Sequence, residues 1–217
     1  MRTDSNAGEK ALRSPAARAR RDQIIQSAAE VVAEVGYANA STARIAARAG
    51  ISKGVITYHF ESKDEIMRQV ALRLFERCAA QVETRVSTAA TPTDQVRAWV
   101  GAELEFFAAH RVEYLAMNEV MANHRDTDFS RTFEDEVVAE TRHLAEFLAQ
   151  GQQCGEFRAF DTESVAYIIL RCKDGVLDFW AHNPDQPLSA HAETLLDFID
   201  HAITARNRPM HSSLPSA

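Results

Sequence analysis

Glycine and proline are scarce in this sequence, which has 8 and 6 of them among 217 residues. A β-rich protein with many tight turns uses more of both, so the composition favours helices. Long apolar runs are also missing: the longest covers residues 165–170, whereas a membrane-spanning helix needs about 20 apolar residues. The first residues are polar and carry no apolar signal core. We therefore expect no export, no membrane span and a cytoplasmic protein.

Motifs of common enzyme and metal sites are absent as well. The sequence contains no G-x-S-x-G, no phosphate-binding loop, no dinucleotide-binding glycine pattern and no H-E-x-x-H. Three cysteines are too few and too scattered for a disulfide framework or a zinc site, and they fit a reducing compartment. His182, His191 and His201 stand nine and ten residues apart, which matches no helical metal pair. The sequence thus predicts no catalytic residue, no metal and no cofactor.

Charge is distributed unevenly along the chain. The net charge of −7 by itself argues against a nucleic-acid partner. Residues 1–60, however, hold nine Lys and Arg against five Asp and Glu, while residues 61–217 hold 15 against 26. A basic N-terminal part on an acidic body indicates that only the N-terminal part meets a polyanion. On charge alone, a basic disordered tail without a partner fits equally well.

Hydrophobic periodicity divides the chain into four segments. Residues 1–20 lack an apolar period and are predicted to be a disordered basic arm, which either contacts DNA or is a solvated tail. Residues 21–66 hold three helical patterns, two of them short. Residues 67–206 carry long amphipathic helices, and residues 207–217 are predicted to be a flexible tail. No period-two alternation persists long enough for a strand, so the predicted fold class is all-α.

Capping signals predict where several helices begin and end. The predicted N-cap residues are Ser41, Ser52, Ser62, Thr91 and Asp161. Gly36 and Gly50 are expected to end helices, because glycine readily adopts the left-handed conformation found there. Loops are predicted at residues 126–130 and 151–160.

Residues 41–60 have the proportions of a helix-turn-helix, with two short helices separated by a tight turn. Gly50 permits the left-handed backbone that such a turn needs. Ile45 and Ile56 can be buried between the helices. Ser52 caps the second helix and leaves its N-terminal residues free to enter a major groove. Spacing alone fits an αα-corner in another helical protein equally well.

The residue types of this segment favour the helix-turn-helix over the αα-corner. The runs STARIA (41–46), AGISKG (49–54), ITYHF (56–60) and SKDEI (62–66) closely resemble the TetR family of bacterial transcriptional regulators. The resemblance is detailed over residues 20–70 and beyond them covers only chain length and helical character. It implies an N-terminal three-helix helix-turn-helix domain followed by a C-terminal helical bundle for ligand binding and dimerisation. It also implies sequence-specific DNA binding and, typically, repression that a small-molecule effector relieves.

In this family the second short helix reads the major groove, and nearby hydroxyls, aromatics and a lysine bind phosphates. Carried over by position, the phosphate contacts at the first short helix are Thr42 and Arg44. The base-facing residues of the second short helix are Lys53, Gly54, Val55 and Thr57. The remaining DNA-backbone contacts are Tyr58, His59 and Lys63. Family members often carry an aromatic where this chain has Thr57, so base contact at this position departs from the family pattern.

The resemblance also implies an effector pocket in the second domain, without identifying the residues that line it. The candidates, chosen from apolar faces and from polar positions within apolar helices, are Trp99, Phe106, Met117, Asn118, Met121, Phe147, Arg171 and Asp174. The aromatic and methionine side chains fit an ordinary bundle core equally well. Arg171 and Asp174 stand three residues apart on one helix and can simply pair with each other.

The last two long helices are apolar on more than one face, so each needs a second packing partner. In the family these helices form a four-helix dimer interface. A two-fold homodimer places two reading heads on successive major grooves, so we expect a roughly palindromic operator in double-stranded DNA. The alternative function is a helical-bundle enzyme or small-molecule sensor in which the helix-turn-helix is not the main activity.

Overall fold

Nine helices lie in the part of the chain that the computed structural model describes, which is residues 14–124, 127–183 and 185–205. They are α1 (Pro15–Asn39), α2 (Thr42–Arg48), α3 (Lys53–His59), α4 (Lys63–Val86), α5 (Pro92–Ala109), α6 (Arg111–Asn123), α7 (Thr127–Cys154), α8 (Thr162–His182) and α9 (Leu188–Ile203). These residues contain no strand, and one isolated bridge pairs Phe157 with Thr204. The predicted all-α fold class is confirmed. Among the described helices, none combines the length and the apolar character needed to cross a bilayer.

Side-chain hydrogen bonds cap the beginnings of α2, α4, α5 and α8. Ser41, Ser62, Thr91 and Asp161 each accept the backbone N–H of the residue three positions ahead, at 2.8–3.3 Å. Each bond satisfies an N–H that the first helical turn leaves without an intrahelical partner. Ser52 holds the N-cap position of α3, but its side chain makes no capping hydrogen bond. The sequence therefore predicts the position of α3 correctly and its side-chain cap wrongly.

The predicted disordered arm is wrong for residues 15–20, which form the first turns of α1. Ser14 accepts the N–H of Ala17 at 3.2 Å, and the first helical position is a proline. Alanine and arginine both favour helices. Residues 15–20 therefore extend the amphipathic part of α1 toward the N-terminus, although they carry no apolar stripe of their own. Residues 1–13 and the tail predicted at 207–217 lie outside the described residues.

Both predicted loops of the second domain are shorter than expected, because α7 includes residues 127–130 and 151–154. Phe129 is buried and anchors the beginning of α7 in the core. Gly151 lies within the helix, and the ring of Phe157 packs against its backbone: a Cβ at this position would lie 2.0 Å from the ring. Glycine at this position thus permits a close approach and does not end the helix.

A single apolar core joins the N-terminal helices to the remaining bundle. The long helix α4 contributes to both parts, with Ile66 and Met67 buried near its beginning and Leu74 and Cys78 buried further along. Contacts also join α1 to both α4 and α6, and α7 to α8. The N-terminal head, residues 21–66, is therefore packed directly against helices of the second domain.

Candidate functional site

The turn between α2 and α3 is fixed from inside the head. Gly50 has φ 65°, a left-handed conformation that glycine adopts without strain. Ile45 and Ile56 are buried on the two helices that flank it. Gln23 of α1 donates from Nε2 to the carbonyl of Ala49 at 2.8 Å. These contacts hold the two short helices in one relative orientation, as a helix-turn-helix requires.

The outer side of α3 is open to solvent. Lys53, Gly54 and Thr57 are exposed, and Tyr58 leaves 58% of its surface accessible. Val55 is half-buried, so it is the least accessible of the predicted base-facing residues. An amine, a phenol and a glycine without a side chain suit both phosphate contact and close approach to a groove.

Only part of the hydrogen-bonding capacity of Thr57 is available to a ligand. Its Oγ1 donates to the carbonyl of Gly54 at 3.0 Å, within the same helix. The hydroxyl proton is thereby committed, while the methyl group and the oxygen lone pairs stay available. The arrangement suits the methyl contact with a thymine that the sequence predicts for this position.

Basic side chains around α2 fall into two groups. Arg44 is exposed and Thr42 half-buried at the beginning of the helix, where phosphate contacts are predicted. Arg48, by contrast, forms ion pairs with Glu30 and Glu34 of α1, so its charge is largely compensated within the head. Arg18, which belongs to the basic arm identified in the sequence, is exposed on the first turns of α1.

His59 lies inside the head and not at its surface. Only 9% of the residue is exposed, and its carbonyl accepts a hydrogen bond from Arg21. Burial, assisted by the charges of Arg21 and Arg20, lowers the pKa of the imidazole. The direct phosphate contact expected for this side chain is therefore not supported. Arg21 also stacks 4.0 Å from the centroid of the Phe60 ring and pairs with Glu65 at 3.1 Å, so it joins α1 to α4.

Lys63, the predicted phosphate contact on α4, has an intramolecular partner. Its Nζ donates to the carbonyl of Tyr37 at 2.7 Å and stands 4.5 Å from the centroid of the Tyr37 ring. The residue is half-buried, so the ammonium is held at the edge of the head. An ammonium has three donors, and two of them stay available for a phosphate.

The predicted effector residues differ in how deeply they are buried. Trp99, Phe106 and Met117 are buried in the core, and Met121, Asn118 and Phe147 are half-buried, so the core interpretation holds for the aromatic members. Arg171 and Asp174 form the predicted pair with each other, at 2.7 Å. A cleft of about 400 Å³ lies instead between α1 and α4, and none of the candidates lines it.

A buried ionic cluster in the second domain was not predicted from the sequence. The ammonium of Lys173 on α8 lies 2.8 Å from Glu103 of α5, 3.3 Å from Glu140 of α7 and 3.4 Å from the predicted candidate Asp174. Burial raises the pKa of Glu103 to about 8, and Lys173 opposes this shift only in part. Burial also disfavours the charge on Lys173, but the carboxylates, Glu103 first, outweigh it and raise the pKa of the ammonium.

The N-terminal part of the chain is similar to known bacterial regulatory proteins. Residues 24–70 match the family model described as bacterial regulatory proteins, tetR family. A curated relative, the HTH-type transcriptional regulator BetI 1 of Chromohalobacter salexigens, is 39% identical over 83 residues, or 36% of this chain. The chain matches only 40% of the length of that relative. The HTH-type transcriptional repressor Rv1474c of Mycobacterium tuberculosis is 28% identical over 85% of this chain and 93% of its own length.

The similarity in fold extends over the second domain. The transcriptional regulator FadR of Bacillus subtilis, solved in complex with stearoyl-CoA, superimposes with a TM-score of 0.71 and 20% identity. The superposition covers 82% of this chain and 96% of that one. The arrangement of helices is thus shared far beyond residues 24–70, where the family model matches.

Proposed function

We propose that this chain, which belongs to the TetR family of bacterial regulatory proteins, is a sequence-specific DNA-binding regulator of transcription. Its expected mode is repression that a small-molecule effector relieves. A regulator that reads chromosomal DNA works in the cytoplasm, as the sequence predicts. Membership of this family weighs against the alternative function, a helical-bundle enzyme or small-molecule sensor.

The observation that carries this proposal is the contrast between the two sides of α3. Ile56 on the inner side is buried to 1% exposure, whereas Tyr58, two residues on, is 58% exposed. The inner side fixes the helix, and the outer side offers Lys53, Gly54 and Thr57 to a groove. A helix in an ordinary αα-corner has no need of an exposed amine, glycine and aromatic ring together.

A homodimer through α8 and α9 is part of the proposal. Tyr167, Ile168 and Phe179 on α8 and Phe198 on α9 are large apolar residues with 50–58% of their surface exposed. Ile168 and Phe179 are three helical turns apart and so lie on one face. Two such helices from each protomer would bury these side chains in an isologous interface.

Gly175 supports the same interface. It lies between Ile168 and Phe179 along α8, is exposed, and a Cβ at this position would meet nothing within 4 Å in a single protomer. A mid-helix glycine costs about 1 kcal/mol relative to alanine. No packing within the protomer offsets this cost, and a close crossing with α8 of a second copy would do so.

An effector in the second domain is the remaining part of the proposal. The Bacillus subtilis FadR structure contains stearoyl-CoA, which supports a small-molecule role for this fold. In this chain, α6 and α4 link the second domain to the head. Effector binding would shift the population toward an arrangement in which the two heads no longer match successive major grooves.

Binding to the DNA immediately upstream of the coding region of this protein tests the proposal. Affinity is measured across a salt series against random DNA of equal length. We expect binding that is at least about a hundredfold tighter to the upstream DNA at physiological salt. Equal, weak affinity for both DNAs across the series would contradict a regulator that acts on its own promoter.

A further inference from the structure

The helical geometry of α1 breaks at Gly36, three residues before the helix ends. Gly36 has φ 77° and ψ 162°, which no helix accommodates, so the predicted stop is present as a break within α1. The next residue, Tyr37, lies on the far side of this break. Both of its backbone polar groups bond to side chains of other helices.

Two different helices bind the backbone of Tyr37. Its N–H donates to Oε2 of Glu119 on α6 at 3.1 Å. Its carbonyl accepts from Nζ of Lys63 on α4 at 2.7 Å. A carboxylate of the second domain and the lysine predicted to bind phosphate are thus connected through a single residue of the head.

The side chain of Tyr37 strengthens the same connection. The centroid of its ring lies 4.5 Å from Nζ of Lys63, within range of a cation–π interaction. Its hydroxyl donates to Asp64 at 3.3 Å and lies 3.0 Å from Nδ1 of His124, at the end of α6. Burial, and then Asp64, raise the pKa of the phenol, so it stays protonated and neutral.

We propose that Glu119 is a positioning residue for DNA binding, which holds the Tyr37 backbone from α6 and thereby fixes the Lys63 ammonium where a phosphate can bind it. The inference rests on the proposed function. Glu119 touches no DNA in this scheme and acts only through Tyr37 and Lys63. Movement of α6 changes the phosphate contact directly, so the junction couples the second domain to the strength of DNA binding.

Electrostatics predicts the sign of the change in DNA affinity that would distinguish this proposal. Removal of a carboxylate near DNA weakens the repulsion of the phosphates and by itself raises affinity. Loss of a positioned cation has the opposite effect, because one fewer counterion is released on binding. A Glu119→Ala protein that binds DNA more weakly therefore reports the loss of positioning and not the loss of charge.

The experiment compares the salt dependence of binding to the upstream DNA for five proteins: wild type, Lys63→Ala, Glu119→Ala, the double variant and Glu83→Ala. Glu83 is an exposed carboxylate on α4, about 30 Å along the helix from Lys63, and serves as the matched control for charge removal.

Lys63→Ala is expected to weaken binding about five- to tenfold at 0.1 M salt and to reduce the salt slope by about one. Glu119→Ala should show most of both effects, and the double variant should equal Lys63→Ala alone. Glu83→Ala should show neither.

A wild-type salt slope in Glu119→Ala, or additive losses in the double variant, would overturn the inference while leaving the DNA-binding function intact. Absence of specific binding by the wild type would overturn the function itself, so the two failures are distinguishable.

Glu119→Gln keeps an oxygen acceptor for the Tyr37 N–H, so its DNA affinity and salt slope are expected to fall between those of the wild type and of Glu119→Ala. Equal unfolding midpoints of the single variants would exclude a folding defect, and affinity that follows the midpoint instead would count against positioning.

Discussion

The ammonium of Lys173 lies 2.8 Å from the carboxylate of Glu103, and both side chains are less than one-tenth exposed. The pair joins α8 to α5, and Glu140 on α7 lies 3.3 Å from the same ammonium. Ions withdrawn from water lose solvation that their mutual attraction restores only in part. Here the cost falls mainly on Glu103, whose pKa burial raises to about 8.

Stability should therefore depend on pH through Glu103. The folded state holds the proton more tightly than the unfolded state, where the pKa is about 4.3. The stabilisation from this group is complete below that value and is lost as pH rises through about 8. The free energy of unfolding of the wild type should fall between pH 5 and pH 8 relative to that of Glu103→Gln, as measured by urea denaturation at each pH. Glu140→Gln, which changes a half-exposed carboxyl, should retain the wild-type trend.

Lys173→Met should be strongly destabilising above about pH 8, where Glu103 is ionised, because it leaves the carboxylates of Glu103 and Glu140 without their cation. We expect a loss of about 3–5 kcal/mol in the free energy of unfolding. The double variant Lys173→Met/Glu103→Leu removes both charges of the buried pair and should regain most of that loss. A double variant as unstable as Lys173→Met would show that the packing of the lysine stem, and not its charge, stabilises the junction of α5 and α8.

Two helical glycines should respond to alanine with opposite signs. Gly151→Ala places a Cβ 2.0 Å from the Phe157 ring and should cost about 1–3 kcal/mol, because the ring must move. Gly101→Ala, within α5, meets nothing within 4 Å and should stabilise by about 0.5–1 kcal/mol through helix propensity. Thermal unfolding midpoints measure both, and a midpoint for Gly151→Ala at or above the wild type would contradict the close packing.

Local signals made the head predictable. Ser41, Gly50 and Ser62 act on residues within four positions of themselves, so their roles can be read from neighbouring letters. The all-α fold follows from helical periodicity in the same way. The beginning of α1 was missed for the complementary reason: residues 15–20 favour a helix by propensity alone, and an analysis based on apolar stripes does not detect them.

Contacts between distant parts of the chain were not predictable. The bond between Tyr37 and Glu119 joins residues 82 positions apart, and no local pattern indicates it. Lys173 did carry a signal, because it stands four residues after Ile169 and four before Leu177, on a stripe that is otherwise buried and apolar. A single lysine in such a stripe indicates a buried charge, but its partners on α5 and α7 are known only from the structure.

The proposed dimer should depend on the exposed apolar face of α8. Phe179→Glu places a charge in the proposed interface and should weaken self-association by at least about 2 kcal/mol, or roughly thirtyfold in the dissociation constant. Val112→Glu changes another exposed apolar residue, on α6, and should leave association unchanged. Sedimentation velocity over a concentration series measures both. A Phe179→Glu protein with the wild-type dissociation constant would place the dimer interface elsewhere.

Base preference should depend on the methyl group of Thr57 and not on its hydroxyl. The hydroxyl proton is already donated to the Gly54 carbonyl, so Thr57→Val, which keeps the methyl group, should retain the preference for thymine at the contacted position. Thr57→Ala removes the methyl group and should reduce that preference by about 1 kcal/mol. Neither variant changes a charge, so both should keep the wild-type salt slope. Affinities for a set of operators with each base at the contacted position measure the effect. If Thr57→Val loses the preference as fully as Thr57→Ala, the hydroxyl oxygen and not the methyl group reads the base.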